Sequence, residues 1–122
     1  MEEIEKLLKY SKLFNLYSSL LSSAQKEILH DYYFLDLSIS EISENRSISR
    51  SAVEDALKKG KTKLDEFEEK LHLLEKNQKV AQKAKEIGDL TENSEVNKKI
   101  EEILEELDNG IWELDRKTIK NI

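Results

Sequence analysis

The sequence contains no cysteine and no proline, only three glycines, and aromatic residues at 7% of its 122 positions. Without cysteine there is no disulfide scaffold, no thiolate metal site and no cysteine nucleophile. Without proline nothing forces a helix to break. The shortage of aromatic residues disfavours a sheet protein, because strands draw on β-branched and aromatic side chains. No run of 18 apolar residues occurs, and the amino-terminal MEEIEKLLKY is acidic where a secretory leader is basic and then apolar. Neither membrane insertion nor export is therefore expected, and a cytoplasmic location follows as the default. His30 and His72 stand far apart with no cysteine nearby, so a metal site is not expected.

What the chain has in abundance is charge. Asp, Glu, Lys and Arg make up 38% of it, with 26 acidic against 20 basic residues and a net charge of −6. That excess opposes a protein that coats nucleic acid without regard to sequence. The distribution is uneven. Residues 46–63 hold six basic side chains (Arg46, Arg50, Lys58, Lys59, Lys61 and Lys63) against Glu54 and Asp55, a basic island of net +4 in an acidic chain.

Apolar spacing predicts helices along most of the chain. Ile4, Leu7, Leu8, Tyr10, Leu13, Phe14, Tyr17 and Leu20 recur at steps of three and four, lining one side of a helix. Ser22 with Gln25 forms a capping-box pattern that starts a second helix, with Ile28, Leu29, Tyr32 and Tyr33 inward. Ser38 with Glu41 repeats that pattern before a short helix, and Ser49 is a favourable N-cap for a long one. The helix is expected to continue through Gly60, at a cost of about 1 kcal/mol relative to alanine. Leu64, Phe67, Leu71 and Leu74 follow at heptad-like steps. A thinly apolar stretch runs to Gly88-Asp89. A last helix is expected from about residue 92 or 93 to Leu107, before the stop signal Asp108-Asn109-Gly110. Residues 111–122, with Trp112, show no defensible period.

Residues 38–59 have the layout of a helix-turn-helix: a short capped helix, a tight connection and a second capped helix. Ile39, Ile42, Ile48, Val53 and Leu57 would clamp the two helices together. In such a unit the second helix reaches base edges with its early residues while its neighbours hold phosphates. The candidate nucleic-acid contacts are Arg46, Ser49, Arg50, Ser51, Glu54, Lys58, Lys61 and Lys63. Arg50 has the geometry to pair with guanine or grip phosphate. Beside this stands the plain alternative of a solvated helix face, since Glu54 and Asp55 on the same arc would repel phosphate.

Residues 21–71, with Leu21-Ser22, Gln25, Tyr32-Tyr33, Asp36, Ser38-Ile39, Glu41-Ile42, Ser49-Arg50, Ala52-Val53, Asp55, Leu64 and Glu68-Glu69-Lys70-Leu71, resemble the YlxM family. Those are helix-turn-helix proteins of low-GC Gram-positive bacteria and mollicutes. The unit is also similar to the promoter-reading C-terminal region of sigma factors, a winged-helix-like class without the wing. The resemblance implies an all-α fold with long C-terminal helices, no enzyme activity and no cofactor. It implies a regulatory link to the signal recognition particle pathway, with the particle's GTPase, its receptor or its RNA as partner. The alternative is a dimeric, sequence-specific DNA-binding regulator. Where the family commonly carries Gln after the Ser-Arg pair, this chain has Ser51, which removes an amide suited to adenine.

The stripe Leu64, Phe67, Leu71 and Leu74 is either internal core or a dimer seam, and a homodimer is expected. The expected division is a helical domain over residues 1–75, containing the helix-turn-helix, and a C-terminal helical arm over 76–122 that is a candidate for dimerisation. Adjacent carboxylates such as Glu68-Glu69, Glu101-Glu102 and Glu105-Glu106 read as solvated faces, because no neighbouring group separates their roles as acid and base.

Overall fold

A computed structural model describes residues 3–108. Six α-helices and no strand occur among them: α1 (Ile4–Tyr17), α2 (Ser23–Tyr33), α3 (Ile39–Arg46), α4 (Arg50–Leu71), α5 (Leu73–Asp89) and α6 (Ser94–Asp108). A single 3-10 turn, Ser18–Leu20, closes α1. The protein is all-α, as the periodicity predicts. The stop signal Asn109-Gly110 and Trp112 lie outside the described residues.

Both capping boxes form. The Gln25 amide donates to Ser22 Oγ and the Ser22 amide to Gln25 Oε1, each at 3.3 Å. Glu41 and Ser38 make the same exchange at 3.1 Å. Each box satisfies two of the amides that a helix start leaves orphaned. Ser49 caps α4 by accepting from the Ala52 amide at 3.0 Å. Asn93 caps α6, its Oδ1 accepting from Glu95 at 2.9 Å and Val96 at 3.3 Å.

The chain divides into two compact units, residues 1–71 and residues from His72 onward. In the first, α4 is the spine against which α1, α2 and α3 all pack. Leu13, Tyr17, Leu29, Ile42, Val53 and Leu64 are its most deeply buried side chains. Polar contacts tie α1 to the spine at the edge of this core. Tyr10 Oη donates to Asp65 Oδ2 at 3.0 Å, and Tyr17 Oη donates to Glu68 Oε1 at 2.7 Å. Gly60 lies buried inside α4, as expected for a helix that runs through it. Its role is spatial, because a Cβ there would stand 2.6 Å from Leu29 Cδ1.

In the second unit α5 and α6 run antiparallel, with Asn77 Nδ2 donating to Leu107 O at 3.3 Å. Ala84, Ile100 and Leu104 form the seam between them, flanked by Ala81 and Val96.

The heptad-like stripe is interrupted. His72 adopts left-handed backbone geometry (φ 56°) and ends the helix between Leu71 and Leu73. The boundary between the two compact units coincides with this break, between Leu71 and His72. Leu64 is fully buried, and Phe67 packs on Tyr17 with ring centroids 5.8 Å apart. Leu71 is 47% exposed, and Leu74 belongs to another helix. The four leucine and phenylalanine positions do not share one continuous helix face.

Candidate nucleic-acid or partner-binding face

The turn between α3 and α4 is three residues long, Ser47-Ile48-Ser49. Ser47 takes left-handed geometry (φ 54°), and the amides of Ser47 and Ile48 donate back to Glu44 O and Ser43 O. This is a Schellman ending, which satisfies the last carbonyls of a helix while reversing the chain. Ser43 Oγ also donates to Ile48 O, so one side chain holds the turn from within. With Ile42 and Val53 fully buried behind it, the two helices are held in a fixed relation, and the first turns of α4 project outward.

The exposed face of α4 carries Arg50, Ser51, Glu54, Asp55 and Lys58, with Ser49 exposed at its start. Its charge is mixed. Lys59 Nζ pairs with Asp55 Oδ2 at 3.0 Å one turn away. Next to this face an open groove runs between α2 and α4, lined by Gln25, Asp55, Lys58, Lys59, Thr62, Lys63 and Glu66.

Two predicted contacts are turned to other work. Arg46 Nε donates to Asp31 Oδ2 at 2.6 Å and Nη1 to Glu27 Oε2 at 2.9 Å. These contacts bind the end of α3 to α2. The hydrogen bond it donates to Asp31 raises the pKa of the guanidinium above its ordinary value. Lys61 is half-buried, its Nζ 5.3 Å from the ring centre of Tyr10, 5.8 Å from Tyr33 and 6.0 Å from Tyr32. It caps the aromatic cluster beneath α4 rather than extending the outward face. Of the predicted cations, Arg50 and Lys58 thus stand on the exposed face of α4, and Lys58 and Lys63 line the groove together with Lys59.

Sequence reasoning missed Asp31 as the acid that holds Arg46 and the tyrosine cluster as the seat of Lys61. Neither leaves a local signal, since each partner comes from a different helix. Gln25, read only as a capping residue, also borders the groove. Among the described residues no group of three or more His, Cys, Asp or Glu is placed to hold a metal ion. No described helix is long and apolar enough to cross a membrane.

Comparison with known proteins agrees with this architecture. The family model described as "Putative helix-turn-helix protein, YlxM / p13 like" matches residues 4–107, which takes in all of α1 to α5 and nearly all of α6. A UPF0122 protein of Malacoplasma penetrans is 45% identical over 74 residues, covering 61% of this chain and 68% of the relative. UPF0122 proteins of Bacillus cereus and Bacillus anthracis are each 36% identical over 108 residues, covering 86% of this chain and 96% of the relative. The family's description is that of a helix-turn-helix protein. With its fold, its capped helix-turn-helix and this match over residues 4–107 in agreement, the chain belongs to the UPF0122, or YlxM/p13-like, family.

Proposed function

We propose that this chain is a non-enzymatic regulatory protein of the signal recognition particle pathway, acting by binding protein or ribonucleoprotein through the open face of α4. The observation that carries the reading is the mixed charge of that face. Arg50 and Lys58 are interleaved with Glu54 and Asp55, all exposed, while Arg46 and Lys61 serve intramolecular contacts. A duplex offers a surface of phosphates, against which the two carboxylates are repelled. A protein or ribonucleoprotein surface offers both signs, and interleaved charges fix register on it.

A second reading is a dimeric, sequence-specific DNA-binding regulator. It is favoured by Arg50 and Ser51, which stand exposed in the first turn of α4, the position from which such a helix reads base edges.

Titration of the full chain separates the two. The particle's RNA, its purified GTPase, the receptor and operator-sized duplexes are each tested at moderate salt. Binding to one of the first three, lost in the Arg50→Ala, Lys58→Ala double variant, is the expected result. Duplex binding alone, with the salt slope reduced by about one for each cation removed, establishes the DNA reading. Binding to none of the four overturns both.

A further inference from the structure

The α5–α6 hairpin leaves a row of apolar side chains uncovered. Leu73, Val80 and Ile87 are 40%, 46% and 53% exposed, and Ile103 on α6 is 44% exposed. The three α5 positions are seven residues apart, a spacing that returns to nearly the same azimuth with a drift of only about 20° per step. They form one stripe along the helix. At 3.6 residues per turn, that stripe lies about 70° from the Ala81–Ala84 seam, and Ile103 lies about 80° from the Ile100–Leu104 seam. Because the helices are antiparallel, both offsets fall on the same side. Val96, half-buried at the edge of the seam, continues the patch on α6.

The borders of this face differ in sign. Beyond the α5 stripe come Lys76 and Lys83, both exposed. Beyond Ile103 comes first Lys99, its Nζ 3.3 Å from Glu102 Oε2, and then Glu106 and Glu102, so this border is net acidic. The Asn77–Leu107 hydrogen bond sets the levels along the hairpin. Val80 stands level with Ile103, Ile87 with Val96, Lys76 with the turn of Glu106 and Lys83 with the turn of Glu102.

We propose that this face is a self-association surface occupied by a second copy of the chain. The copies pack hairpin to hairpin about a twofold axis parallel to the helices, so that α5 of each lies against α6 of the other. A rotation about that axis preserves levels. Val80 therefore meets Ile103 of the second copy, and Ile87 meets its Val96. Lys76 and Lys83 face its Glu106 and Glu102. The product is an antiparallel four-helix bundle with an apolar seam and oppositely charged edges. The contact is isologous, as a twofold dimer requires. It lies on α5 and α6 and does not use the interrupted stripe at Leu64 to Leu74. It is independent of what α4 docks onto.

Sedimentation equilibrium of the full chain tests this. The expected mass is twice the 14.2 kDa of one chain, while Val80→Glu combined with Ile103→Glu weakens association about a hundredfold or more with the helical spectrum retained. A second pair of variants covers the case in which that one does not fold. Lys76→Glu with Lys83→Glu weakens self-association, and mixing it with Glu102→Lys with Glu106→Lys restores a mixed dimer. A wild-type chain that stays monomeric at about 100 µM, well above the Kd of a stable dimer, overturns the proposal. So does a dimer that a folded Val80→Glu, Ile103→Glu chain retains, or charge-reversed variants that fail to pair.

Discussion

Arg46 Nε lies 2.6 Å from Asp31 Oδ2, and Asp31 is 6% exposed, so the last turn of α3 is bolted to α2 through a nearly buried acid. The Arg46 side chain remains partly open to solvent, which moderates the strength of the pair. Removing the cation still strands a carboxylate in a poorly solvated place. Arg46→Ala is expected to cost about 2 kcal/mol in urea unfolding, and Arg46→Ala with Asp31→Asn to recover part of it. If Arg46 acted mainly as a phosphate contact, the single variant would leave the unfolding midpoint in place.

Gly60 of α4 faces Leu29 of α2, and their contact predicts a coupled pair of substitutions. Alanine at 60 gains about 1 kcal/mol of helix propensity. Its Cβ, however, would sit 2.6 Å from Leu29 Cδ1, on a side chain that is fully buried and has little room to move. Gly60→Ala is expected to be net destabilising by about 1 kcal/mol. In a Leu29→Ala background the same change should become stabilising, a reversal read directly from a double-mutant cycle.

Lys58 and Lys61 are three residues apart yet have different surroundings. Lys61→Met should lower stability by about 1 kcal/mol through loss of its contacts with the tyrosine rings, without altering the affinity for the partner proposed for α4. Lys58→Met should do the reverse. Thermal unfolding and partner titration on the same two proteins check both halves.

The turn between α3 and α4 needs left-handed backbone at Ser47. Glycine reaches that geometry freely, whereas a β-branched residue crowds its own carbonyl there. Ser47→Gly is expected to stay within about 0.5 kcal/mol of the parent, and Ser47→Val to cost about 1–2 kcal/mol. The valine chain should also lose affinity for the proposed partner, because the projection of α4 depends on this turn.

Helix starts were the most legible feature of the chain. Ser22, Ser38, Ser49 and the region of Asn93 were readable because a cap is a contact between residues two or three apart. The helix-turn-helix followed from two of those caps and the inward isoleucines between them. The stop at His72 was not legible. No glycine or proline marks it, and the apolar steps run on through it, so periodicity alone draws one helix where there are two. The cationic face was only half legible. Arg50 and Lys58 were placed correctly on an outward arc, whereas Arg46 and Lys61 look equally available in a list of charges.

Local chemistry in the sequence was enough to determine the helical class, the caps, the passage of α4 through Gly60 and the basic island near its start. Each of these depends on residues within about one turn of each other, where backbone geometry makes the spacing predictable. Which cations face outward was decided only by the tertiary structure. Asp31 comes to Arg46 from 15 residues earlier, and Tyr10 comes to Lys61 from the first helix. A charge is claimed by the nearest opposite charge or ring in space, and spatial proximity between helices is set by how their apolar faces pack, not by distance along the chain.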